Sequence, residues 1–151
     1  MTVAEILKAV PLFQDLDAKS LRRLARIARL KVYRRGETIL KEGSVGRDLY
    51  VLKSGSVSIL KRGPEDEPRV LARLEPCAPF GEMSLIDRQP RSASVVASED
   101  TELLVLDGDE FLRFLDSDPA TAARVYRALA SIFCQRLRAS NERMVAWEGR
   151  P

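Results

Sequence analysis

The hydrophobic positions change their period twice along the chain. Between Ala18 and Leu30 the apolar residues Leu21, Leu24, Ile27 and Ala28 recur at three- and four-residue spacing, with Arg22, Arg23, Arg26 and Arg29 between them. That spacing predicts an amphipathic helix. A shorter helix is predicted over Val3–Val10, ended by Pro11, and Pro11-Leu12-Phe13 supplies apolar anchors for docking it. From about Leu30 the period becomes two. Val32-Tyr33, Thr38–Leu40, Leu49–Leu52, Val57–Leu60, Val70–Leu74, Ser94–Ala97 and Glu102–Leu106 are short, partly alternating runs. Turn signals at Arg35-Gly36, Glu42-Gly43-Ser44, Ser54-Gly55-Ser56, Gly63-Pro64 and Glu75-Pro76 separate them, and Gly63–Pro68 reads as a polar hairpin tip. Helical spacing then returns. Asp107–Leu115 reads as a helix capped by Asp107, and Asp118-Pro119 opens a long one that runs to about Trp147 with no Gly or Pro inside.

This order predicts an α+β fold, mainly β: a small antiparallel β-roll or jelly-roll barrel between N-terminal and C-terminal helices. The whole of residues 1–151 is expected to be one domain, with helices over 1–30, the roll over 31–106 and helices over 107–148. A chain of this length buries a real core without staples.

Composition narrows the function. Hydrophobic residues make up 45% and charged residues 31%, a soluble globular balance. No apolar run approaches the ~18 residues of a membrane span. The N-terminus MTVAEILKAV lacks a basic lead, so no secretory signal is expected. The chain has no His, which argues against His-based triads and nearly all zinc sites. Cys77 and Cys134 are far apart with no CxxC partner, which fits a reducing cytoplasm. Net charge is +3 but unevenly spread. Residues 1–35 hold nine Lys/Arg against three Asp/Glu, residues 36–118 ten against seventeen, and residues 119–151 six against two. A basic end suits nucleic acid or anionic lipid, and the plainer reading is a solvated helical face.

One segment inside the roll does not read as a strand. It is Phe80-Gly81-Glu82-Met83-Ser84-Leu85-Ile86, then Asp87-Arg88-Gln89, then Pro90-Arg91-Ser92-Ala93-Ser94. Gly81 lets the backbone come close, and free N–H groups at a helix start favour a phosphate. Arg91 supplies a planar donor fork for the same phosphate, and Ser92 adds a hydroxyl. Glu82 repels phosphate, so it makes sense as the acceptor for a neutral hydroxyl such as a ribose 2′-OH. Together these residues suit a compact sugar phosphate carrying one negative charge.

Phe80-Gly81-Glu82-Met83-Ser84-Leu85 and Pro90-Arg91-Ser92-Ala93-Ser94 resemble the phosphate-binding cassette of the cyclic nucleotide-binding domain family, at the family's spacing. Gly36-Glu37, Glu42-Gly43, Asp48–Leu52 and Gly55-Ser56-Val57 resemble its strand and turn markers. The resemblance extends over nearly the whole chain. It implies a short phosphate-binding helix inside the barrel, within a cassette over residues 80–94, and makes the C-terminal helices the family's B and C helices. It further implies that Arg91 binds the equatorial phosphate oxygen and Glu82 the ribose 2′-OH. The N–H groups near Gly81, Met83 and Ser84 would hold phosphate and ribose. Ser92 resembles the phosphate-touching Ser of the catabolite activator type, which leans toward cAMP, with cGMP the alternative. Ile59, Leu71, Ala72 and Leu74 would form the apolar wall behind the base. No metal is implied.

The same resemblance shapes the expected output. The catabolite activator type carries a winged helix-turn-helix after its C helix. This sequence has none, so no DNA-binding domain is expected and the output is contact with a protein partner. The long helix carries two stripes, Val125-Leu129-Ile132-Arg136-Ala139-Arg143 and Tyr126-Ala130-Phe133-Leu137-Ser140-Met144. One is expected to cover the barrel or lid the nucleotide. The other is expected to meet a partner helix, including a second copy in a homodimer. Counting from Pro119 places the base lid near Ile132–Arg136, whereas counting from Arg136-Leu137 places it near Ser140-Asn141. The leading expectation is thus a non-enzymatic cyclic nucleotide sensor, and the alternative is a ligand-independent interaction module that kept the fold.

Overall fold

In the computed structural model the run Leu49-Tyr50-Val51-Leu52 forms most of strand β3 (Leu49–Ser54), and all four residues are buried. Successive side chains of a strand point to opposite faces. Leu49 and Val51 join a core shared with the helices, whereas Tyr50 and Leu52 join the core inside the roll. Strand β8 (Thr101–Leu106) divides in the same way, with Leu104 and Leu106 toward the helices and Leu103 inward. A strand buried on both faces has no polar side, which is why Leu49–Leu52 and Leu103–Leu106 lack the alternation expected of them. The structure describes residues 1–148; the last three residues of the domain expected over 1–151 lie outside them.

β3 and β8 are the centre of one four-stranded sheet, completed by β1 (Ala28–Tyr33) and β6 (Pro79–Phe80) in the order β1-β8-β3-β6. The second sheet is built from β2 (Thr38–Leu40), β7 (Ser94–Ala97), β4 (Val57–Arg62) and β5 (Pro68–Leu74), in that order. All pairings are antiparallel. The roll's interior is filled by Tyr33, Tyr50, Leu52, Val57, Phe80, Val95, Ala97 and Leu103. This is the mainly-β roll that the alternation predicts.

The helices cover the outer face of the first sheet. They are α1 (Val3–Ala9), a 3-10 turn at Pro11–Phe13, α2 (Ala18–Ile27), α4 (Gly108–Asp116) and α5 (Pro119–Glu148). A short α3 (Glu82–Asp87) sits within the roll's sequence. Leu7, Val10, Phe13 and Leu24 meet Phe111, Leu115, Val125 and Leu129 in the shared core. The caps are those read from the sequence. Asp107 accepts from the Glu110 N–H at 3.3 Å, and Asp118 accepts from the Ala120 N–H at 3.1 Å and the Thr121 hydroxyl at 2.8 Å.

Two expectations need correction. The helix predicted over Ala18–Leu30 stops at Ile27, because Ala28–Tyr33 pair with all of β8, from Ala28 opposite Leu106 to Tyr33 opposite Thr101. Cross-strand pairing against a buried strand outweighs a helical period carried by one more turn. Arg29 therefore leaves the helical basic face and pairs with Glu110 at 3.3 Å. Arg23 is also engaged, donating to the Ser117 hydroxyl at 2.6 Å and lying over the Phe114 ring. Second, α5 is about 45 Å long, at 1.5 Å per residue over its 30 residues. Thr121, Val125 and Leu129 are buried, Ile132 is partly buried against the shared core and Arg136 reaches Glu82, so the expected stripe follows the barrel as far as Arg136, whereas Arg143 at its end is exposed.

Candidate functional site

β6 brings the cassette into the roll. Phe80 pairs with Tyr50 of β3, and their rings stack with centroids 5.0 Å apart. The chain must then turn sharply to start α3. Gly81 does this with φ +89°, a left-handed conformation that favours glycine. The turn is also crowded, since a Cβ at Gly81 would lie 2.8 Å from the Asp48 carbonyl oxygen and 3.1 Å from Arg91 Nη1. From there α3 turns Glu82, Ser84 and Leu85 inward and leaves Met83 and Ile86 exposed.

Arg91 is held at both its backbone and its side chain. Its N–H donates to the Ser44 carbonyl and its own carbonyl accepts from the Gly43 N–H, each at 2.8 Å. The side chain is buried, at 5% exposure. Nη1 donates to the Gly81 carbonyl at 3.0 Å and Nη2 to the Asp48 carbonyl at 3.1 Å. Gly46 leaves room for the fork, because a Cβ there would lie 3.2 Å from Nη2. Nε is buried and has no hydrogen-bond partner among the described residues. Nor does any carboxylate among them lie within ion-pair distance of Arg91. Burial pushes the Arg91 pKa down, opposed by Tyr50, Asp48 and Glu82. A guanidinium stays protonated in any folded protein, so this is a desolvated positive charge.

The other charges around it are matched. Buried Glu82 accepts from Arg136 Nη1 of α5 at 2.5 Å. Lys61 donates to the Ser92 carbonyl at 2.7 Å and pairs with Glu42 at 3.4 Å. The Ser92 hydroxyl makes only a long contact, 3.9 Å, to the Met83 sulfur.

These groups line a cavity of about 390 Å³, within the size range of small-molecule sites. Gly81, Glu82, Met83, Ser84, Arg91 and Ser92 all border it, and so do Ile59, Leu71, Ala72 and Leu74. The structure therefore brings together every position named from the sequence for the phosphate, the ribose and the apolar wall. It adds Leu40, Lys61, Pro79, Phe80, Ala93, Val95 and Arg136. Sequence reasoning did not find the roles of Gly46, Lys61 or Arg136. Arg136 falls at the end of the predicted lid window, but nothing local shows that it reaches Glu82. Of the two lid registers, Ile132–Arg136 meets the cavity through Arg136, whereas Ser140 lines a shallow groove with Arg143, Met144, Trp147 and Glu148. Among the described residues no cluster of His, Cys, Asp or Glu is placed to hold a metal ion, and no helix is long and apolar enough to cross a membrane.

Known proteins share the fold. The cyclic AMP receptor protein of Thermus thermophilus is 36% identical over 132 residues, covering 87% of this chain and 59% of that protein. The chain thus spans about three fifths of the length of the curated relatives it matches first. The crystal structure of the N-terminal domain of a transcriptional regulator from Streptomyces coelicolor A3(2) aligns with a TM-score of 0.77 and 32% identity, covering 92% of this chain and 94% of that one. A cyclic nucleotide-binding domain from Methylobacillus flagellatus KT aligns with a TM-score of 0.82 and 31% identity, covering 96% and 82%. The family profile for the cyclic nucleotide-binding domain matches residues 30–118, which run from β1 through the cassette to the end of α4. With the cassette, the roll and the profile in agreement, this chain belongs to the cyclic nucleotide-binding domain family.

Proposed function

We propose that this domain is a non-enzymatic sensor of a cyclic mononucleotide, cAMP first and cGMP second, that signals to a protein partner in the cytoplasm by rearranging α4 and α5. The observation that carries the reading is the charge balance of the cavity. Lys61 is matched by Glu42 and Arg136 by Glu82, which leaves Arg91 as the uncompensated charge among the described lining residues. A cyclic phosphodiester carries one negative charge and supplies the match. An acyclic monophosphate near neutral pH brings a second charge close to Glu82.

The remaining groups fit the remaining parts of the ligand. A carboxylate has about four lone-pair sites, so Glu82 can accept a ribose 2′-OH while keeping Arg136. Ser92 gives up only a weak sulfur contact to meet a phosphate oxygen. Ile59, Leu71, Ala72 and Leu74 offer an apolar wall for the base, and Leu71 is 60% exposed, so a base there covers apolar surface. That a relative is named a cyclic AMP receptor supports cAMP as the first ligand. The exposed apolar residues Tyr126, Leu137 and Met144 support α5 as the contact surface for a partner chain or a second copy.

The ribose assignment is tested with 2′-deoxy-cAMP. Removing a hydrogen bond to a charged group costs about 1.5–3 kcal/mol, so the deoxy analogue is expected to bind roughly 10- to 100-fold more weakly than cAMP. Glu82→Gln is expected to narrow that gap. Equal affinity for both nucleotides in competition titrations would remove Glu82 from the site.

A further inference from the structure

Met83 combines two properties in the cavity wall. It is 46% exposed, because α3 turns its neighbours Glu82 and Ser84 inward and leaves Met83 toward solvent. Its sulfur also accepts from the Ser92 hydroxyl at 3.9 Å, and among the described residues that is the hydrogen bond this hydroxyl makes. Both side chains belong to residues that border the cavity. A thioether is a weak acceptor, so it holds the hydroxyl loosely and gives it up to a phosphate oxygen. The chain has three methionines. Met1 and Met144 are exposed as well, at 81% and 58%, but neither borders this cavity.

An exposed thioether is open to oxidation by hydroperoxides. With hydrogen peroxide the sulfur attacks one peroxide oxygen and the O–O bond breaks. That oxygen stays on the sulfur, the other leaves as water, and the electron pair lost by the sulfur is gained by the peroxide. We infer that Met83 is an oxidative modification site whose sulfoxide closes the phosphate end of the cavity to a cyclic nucleotide. This rests on the reading given under Proposed function. Oxidation turns an apolar side chain into a polar one. The sulfoxide oxygen is a far stronger acceptor than the sulfur, and it engages the Ser92 hydroxyl that the phosphate needs. It also brings the negative end of the S–O dipole to the place where a phosphate oxygen meets that hydroxyl. The change is reversible, since reductases return each sulfoxide epimer to the thioether. Occupancy acts in the other direction, because a phosphate on Ser92 covers the Met83 sulfur and shields it from peroxide.

The test is calorimetric titration of cAMP into peroxide-treated and untreated protein, with peptide mass spectrometry to follow oxidation at each methionine. Met83→Leu and Met144→Leu, which keep both Cys77 and Cys134, are treated beside wild type. Each protein is compared with its own untreated sample. Peroxide is expected to weaken binding about tenfold or more in wild type and in Met144→Leu, the effect of losing a hydrogen bond to a charged group. Met83→Leu is expected to keep its own untreated affinity. Reductases for both sulfoxide epimers are expected to restore wild type, which separates the effect from irreversible damage. Saturating cAMP during treatment is expected to slow oxidation of Met83 relative to Met1. Wild type that carries the Met83 sulfoxide and binds within about threefold of the untreated protein overturns the inference. So does an equal loss in Met83→Leu, which assigns the effect to another residue, and so does a Met83 that stays unmodified while Met1 is oxidised. An untreated wild type that binds no cyclic nucleotide overturns the functional reading and this inference with it, and the untreated titration tells that case from the others.

Discussion

Arg91→Ala is expected to weaken cyclic-nucleotide binding on the order of 100-fold or more, the effect of removing one partner of a desolvated charge pair at about 3 kcal/mol. The reason is in the geometry. The guanidinium is buried, held by the Gly81 and Asp48 carbonyls, and left without a carboxylate among the described residues. Truncation removes the charge and leaves the ligand's phosphate facing an apolar cavity. Arg91→Lys is expected to recover little. A lysine ammonium is a point charge on a flexible stem and cannot hold both carbonyls and a phosphate in one plane. Stability should respond far less than binding, because the backbone bonds of Arg91 with Gly43 and Ser44 survive the substitution. Titration of cAMP into both variants, with melting curves beside it, checks this. A variant that binds within threefold of wild type contradicts it.

Phe111→Ala is expected to produce the largest loss of stability, about 3–5 kcal/mol, the cost of an aromatic deletion in a packed core. Phe111 is 1% exposed and meets Phe13 edge-on with centroids 6.0 Å apart and Phe114 at 6.1 Å. It therefore ties the N-terminal segment to the C-terminal helices over one face of the sheet. For a domain whose total stability is about 5–15 kcal/mol, that loss is a large fraction. Urea unfolding is expected to show a lower midpoint with an unchanged slope. An unchanged midpoint would mean that the helical layer contributes little to the fold. Because α5 is docked through this layer and carries Arg136, the variant is also expected to loosen the hold on Glu82.

The roll was legible because its code is local. Short, partly alternating runs and turn residues marked β2, β3, β4, β7 and β8, although β3 and β8 are buried on both faces. The cassette was legible for the same reason, since Gly81, Glu82, Arg91 and Ser92 lie within twelve residues. What stayed hidden depends on distance through the fold. Arg136 and Glu82 are 54 residues apart and meet only once α5 crosses the roll. Gly46 matters for the atom it lacks, and the Asp48 carbonyl belongs to the backbone, so neither leaves a mark in residue type. The boundary between α2 and β1 was misplaced because Ala28 and Leu30 continue a helical period that pairing with β8 overrides.

The most direct measurement is calorimetric titration of cAMP, and then cGMP, into the wild-type protein shown to carry no co-purified nucleotide. The expected result is saturable binding of one nucleotide per chain with a dissociation constant in the micromolar range, about −8 kcal/mol, lost in Arg91→Ala. No heat with either nucleotide at two temperatures, together with no rise in melting temperature at millimolar ligand, would contradict it and leave the fold as a ligand-independent interaction module.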